Sequence, residues 1–144
     1  MRASRYWSLF ALQTLGAAAL FGVGVPFYRQ LLARSQERIA PAEFAQAAAC
    51  VLVLQVGYWS GLRAFPARAL GGHPLAGHLL IFLGRLSFIL ASSLFSLIYL
   101  VRFDELDPPP GGLVLLPLVL FALFCYAREL ERLGNALLAP PPAP

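Results

Sequence analysis

Four apolar blocks, separated by short links rich in proline, glycine and charge, limit what this chain can become. They occupy residues 6–28, 44–62, 79–101 and 113–128. Crossing ~30 Å of hydrocarbon takes roughly 20 helical residues. Lipid offers backbone N–H and C=O groups no partner, so a segment of this kind spans as a helix. The expected fold class is all-α: an integral membrane four-helix bundle with short loops. Composition agrees, with 59% hydrophobic and 12% charged residues, where an average soluble domain carries about 25% charged. At 144 residues the chain has room for one transmembrane domain, 1–138, and no separate catalytic domain. Residues 139–144 form a Pro/Ala-rich tail expected to be disordered.

Prolines punctuate the blocks. Pro41 suits a helix start, with Glu43 in the first turn facing the positive end of the dipole. Pro74 is the corresponding start for the third helix, after the breaker-rich link from Pro66 to His73. Pro26 is expected to end or kink the first helix. The acidic stretch Asp104, Glu105 and Asp107 leads into Pro108-Pro109-Pro110-Gly111-Gly112, a stiff turn. The fourth block is short, and reaches full length only if its helix continues through Arg128, whose head can snorkel to the interface. That continuation is amphipathic, with Leu130, Leu133 and Leu137 on one stripe and i,i+3 pairs Arg128–Glu131 and Glu129–Arg132. Arg2, Arg5 and Ala17-Ala18-Ala19 have the layout of a signal peptide. The apolar block continues through Val25, however, so a retained helix is expected.

The formal charge of +4 comes from eleven arginines with no lysine. They are scattered, with no basic run to follow a phosphate backbone, and nucleic acid is not expected as a partner. Arg2, Arg5, Arg63, Arg68, Arg128 and Arg132 fall on the side of the N-terminus. Arg29, Arg34, Arg38 and Arg102 fall opposite. From this bias both termini are expected in the cytoplasm, and the membrane is expected to be a bacterial inner membrane. Tyr6, Trp7, Tyr58, Trp59 and Tyr126 sit at helix ends on the terminal side, where amphipathic aromatics favour the headgroup level.

The third helix carries the most unusual residue. Arg85 lies within an apolar stretch, where a charge costs about 2.5–3.5 kcal/mol at the bilayer centre. On a helical wheel His78, Arg85, Ser92, Ser96 and Tyr99 all fall within roughly 40° of Arg85. Lipid gives this face nothing to bond, so it is expected as an interaction seam against protein or water. Gln13, Gln55 and Tyr58 are the possible intramembrane partners of Arg85, besides a lipid phosphate. Ala18 and Gly22 form a small-xxx-small pair suited to helix packing. Arg128, Glu131 and Arg132 mark a possible docking end.

Chemistry-bearing sets are missing from the sequence. His73 and His78 are five apart across Pro74, not the i,i+4 spacing that puts two ligands on one face. Cys50 and Cys125 lack a CxxC neighbour and read as small hydrophobes. Neither a metal nor a cofactor is expected. Every acidic residue lies in a link or at a helix end, which leaves no intramembrane carboxylate for proton coupling. Glu131-Arg132-x-x-Asn135 falls one residue short of the Glu-Arg-x-x-x-Asn element of glutathione-using four-helix membrane enzymes, and sits on the wrong helix. Small multidrug exporters need a carboxylate in the first helix, where this chain has Gln13.

These features point to a non-catalytic small integral membrane subunit. It would be an accessory, stabilising or assembly factor that packs against larger membrane proteins and lipids, in a hetero-oligomer. The alternative is a small oligomeric channel or transporter in which Arg85 and the polar face of the third helix attract an anionic solute. An enzyme acting on lipid, with His78 and Arg85 at headgroup level, would need a nucleophile or metal that the sequence does not supply.

Overall fold

A computed structural model describes residues 2–32, 41–64, 73–101 and 110–139. Among them it is helical throughout, with four helices: α1 (Arg2–Leu32), α2 (Pro41–Leu62), α3 (Pro74–Val101) and α4 (Pro110–Leu138). Three contain stretches long and apolar enough to cross a membrane: Ser4–Pro26, Ala42–Leu62 and Pro74–Leu97. The expected charged connection beyond Leu32, the Pro/Gly link at 65–72, the acidic segment at 102–109 and the tail at 140–144 lie outside the described residues.

Pro41 and Pro74 open their helices as expected, and α4 runs through its charged end to Leu138. Of the two expectations for Pro26, an end or a kink, the end is corrected. Helix α1 is not terminated there and continues to Leu32. A proline removes one backbone bond, whereas ending a helix in an apolar setting exposes several unpaired groups.

The helices pack as α1 on α2, α2 on α4, and α4 on α3, with a smaller contact between α1 and α4. Ala17, Leu20, Cys50, Val51, Leu54, Ala122, Leu123 and Tyr126 form the shared core. Helix α3 is outboard. Only 6% of its span is buried, against 22% and 28% for the spans of α1 and α2.

The α3–α4 contact brings the two main chains together, with Ile81, Leu130 and Leu138 against the glycines. A Cβ on Gly77 would lie 2.7 Å from the carbonyl oxygen of Gly134, and one on Gly134 would lie 2.7 Å from that of Gly77. One turn pair further along, a Cβ on Gly84 would meet the Ala127 carbonyl oxygen at 3.0 Å. Small residues let the helix axes approach until the main chains touch. The ends are also tied, since the His73 amide donates to the Leu137 carbonyl at 3.2 Å. This antiparallel register sets Phe82 level with Glu129 and Arg85 level with Tyr126.

Candidate functional site

Chemistry-bearing side chains gather where α1, α2 and α4 meet near the N-terminus, and along the outer edge where α3 meets α4. The inner group starts at Tyr6 and Glu129, each 1% exposed. The Tyr6 hydroxyl faces the Glu129 carboxylate, which also pairs with Arg132 one turn on at 3.5 Å. Deeper in, the Tyr126 hydroxyl donates to Thr14 Oγ1 at 3.1 Å, and Thr14 donates to the Phe10 carbonyl at 2.9 Å. On α2, the Trp59 indole donates to Gln55 Oε1 at 3.0 Å, and the Gln55 amide reaches Cys125 Sγ at 3.8 Å.

Gln13 lies between α1 and α2, 2% exposed. Its side chain fills the notch left by Gly57, where a Cβ would stand 2.9 Å from the Gln13 Nε2. Its Oε1 is buried with no hydrogen-bond partner. An unmet acceptor in a dry interior costs about 1–3 kcal/mol.

The outer group is a triad. Arg85 Nε donates to Glu131 Oε1 at 3.2 Å, and Arg128 Nη1 donates to Glu131 Oε2 at 3.0 Å. The two arginine side chains are 70% and 60% exposed, and that of Glu131 is 22% exposed. Arg85 leans toward the start of α3, as Cβ vectors on a helix do. Beneath the triad a groove of about 70 Å³ is lined by Gly84, Phe88 and Phe124 together with the three charged residues. Phe88 and Phe124 meet edge to face at 5.5 Å.

The sequence-based site residues are thus split. Arg85 meets Glu131 instead of Gln13, Gln55 or Tyr58. Gln13 serves α1–α2 packing, Gln55 bridges α2 to α4, and Tyr58 stacks edge to face on Trp59 at 5.5 Å. Along the third-helix seam, His78 and Ser96 are exposed and Ser92 is half-buried. The Tyr99 side chain lies outside the described residues. Ser92 Oγ donates to the Phe88 carbonyl of its own helix at 2.8 Å, and Ser87 and Ser93 likewise bond back at 2.7 and 2.8 Å. These three hydroxyls donate within their own helix.

Helix α3 instead packs through Gly77, Gly84 and Ala91, all buried and seven residues apart. That face is about a quarter-turn of the wheel away from the polar seam. Of the pair expected from sequence, Ala18 and Gly22 are both exposed, and a Cβ on Gly22 would meet nothing within 4 Å. Glu129, toward the end of the fourth helix, is buried, with Tyr6 of α1 and Arg132 of its own helix against it. Among the described residues no three His, Cys, Asp or Glu side chains gather as metal ligands would.

No protein-family model matches the chain, and no curated protein or solved structure matches it.

Proposed function

We propose that this chain is a non-catalytic subunit of a larger membrane assembly, acting as an accessory or assembly factor with four spans and both termini on the cytoplasmic face of a bacterial inner membrane. The observation that carries the reading is the outboard position of α3. It packs on α4, and its span stays almost wholly uncovered. A helix packed chiefly on one neighbour has surface left for another protein. In α3 that surface presents Leu79, Phe82, Leu86, Ile89 and Leu90 with His78 and Ser96 along one border. The polar groups inside the chain support the reading from the other direction. Thr14, Tyr126, Gln55 and Cys125 bond one another between helices, and Glu129 is held by Arg132. The Thr14–Tyr126 and Gln55–Cys125 bonds tie helices together.

The test is photo-crosslinking in intact membranes. A crosslinking residue at Phe82 or Ile89 is expected to capture a larger membrane protein, and the same residue at Leu15 on α1 is expected to capture much less. Purification in mild detergent with mass spectrometry would identify the partner. A homogeneous homo-oligomer without a co-purifying subunit, with α3 adducts to lipid alone, would sink the proposal.

A further inference from the structure

We infer that the groove between α3 and α4 under Arg85 and Arg128 binds the headgroup of an anionic phospholipid. Charge is the first argument. Two guanidinium groups converge on one carboxylate, so the cluster keeps a net positive charge after both ion pairs are made. Arg85 uses only Nε and Arg128 only Nη1 for Glu131. Each guanidinium has five N–H donors in a planar fork, a shape that matches phosphate oxygens. Both side chains remain more than half exposed, so the remaining donors are open to a ligand.

Depth is the second argument. Tyr6 faces Glu129, and the glycine register sets Glu129 level with Phe82. Arg85 is three residues further along α3, roughly 4.5 Å deeper by helical rise. Trp7 and Trp59 are exposed at the same end, where indoles mark the headgroup boundary. Arg85 then leans back toward that boundary to reach Glu131. The exposed arginines therefore lie within snorkelling reach of the lipid phosphates on the terminal side. Below the triad, Gly84 hollows the groove, and the Phe88–Phe124 pair forms an apolar wall at acyl-chain depth. A cationic rim above an aromatic wall fits an amphiphile with an acidic head. It does not fit a free anion, which has no use for the wall.

Glu131 is the competitor in this arrangement, since it occupies donors that the phosphate would take. Its removal separates a ligand site from a merely structural ion pair. A structural role makes Glu131→Gln harmful, whereas a lipid site makes it bind more lipid.

The experiment is native mass spectrometry of the full chain released from nanodiscs, with retained lipid counted. Nanodiscs of phosphatidylglycerol are compared with nanodiscs of phosphatidylcholine, with and without added inorganic phosphate. Phosphatidylglycerol is expected to be retained in preference. Arg85→Ala and Arg128→Ala should each lower its retention about five-fold, and Glu131→Gln should raise it. Helicity measured by circular dichroism keeps a misfolded variant from counting as a loss of binding. Equal retention of the two lipids, unchanged preference in Arg85→Ala, or loss of lipid in Glu131→Gln would each overturn the inference. Displacement of the lipid by millimolar inorganic phosphate would also overturn it, because the groove would then be a free-anion site.

Discussion

The two helical hairpins solve the same packing problem in opposite ways. In α3–α4 glycine faces glycine, and the main chains touch at Gly77–Gly134 and again at Gly84–Ala127. In α1–α2 glycine faces a long side chain, with Gln13 lodged at Gly57 and Val53 lying 3.1 Å from where a Gly16 Cβ would be. The first joint is rigid because backbone cannot rotate out of the way. The second holds a flexible amide that can. Glycine at a helix interface thus has two uses, and the neighbour decides which one applies.

The largest effect should come from the backbone joint. A Cβ in Gly134→Ala would stand 2.7 Å from both the Gly77 carbonyl oxygen and Ile81 Cγ1. Separation of the helices is expected to cost about 3 kcal/mol, read as a lowered unfolding midpoint in detergent micelles. A neutral Gly134→Ala would break the comparison at its stronger end. Next is Arg132→Ala, which strips the buried Glu129 carboxylate of its counter-charge. Its cost should be about 2 kcal/mol, below the usual range for a fully buried pair because Arg132 is partly exposed. Glu129→Gln in the same chain should recover most of that loss, as a double-mutant cycle would show.

The softer joint gives smaller and partly opposite effects. Gly57→Ala should cost about 1–2 kcal/mol, and combining it with Gln13→Ala should cancel most of the cost. Gln13→Met alone keeps the volume and removes the unmet Oε1. It is expected to stabilise the chain by about 1 kcal/mol, and destabilisation would mean that this oxygen has an essential partner. The smallest change is Gly22→Ala, on an exposed face with nothing within 4 Å of the new Cβ. It should be neutral or gain about 0.5–1 kcal/mol from helix propensity. A loss there would show that the outer face of α1 packs against another protein.

Helix positions were largely legible from local chemistry. Pro41 and Pro74 announce starts, and the blocks between them have spanning length. Pro26 does not end α1, because in an apolar setting losing one backbone bond costs less than exposing a whole helix terminus. The contacts were legible only in part. Gly77, Gly84 and Ala91 recur every seven residues, as do Ala127 and Gly134, and that spacing was a usable signal for the α3–α4 face. The polar residues lie on the neighbouring stripe, about 100° round the helix. The Arg85–Glu131 bond joins residues 46 apart, and no local pattern specifies it until the glycine register is known. The burial of Glu129 was not legible, since it depends on Tyr6 of α1 and not on its own neighbours in sequence.

A joint made from main-chain atoms has an evolutionary corollary. Because Gly77, Gly84, Ala127 and Gly134 bring the main chains of α3 and α4 together, the residues on the opposite face of α3 can change with the partner they meet while the hairpin keeps its alignment. Such a helix behaves as a fixed handle with an interchangeable grip. Variation among descendants should therefore concentrate at Leu79, Phe82, Leu86 and Ile89, with the four small residues staying small.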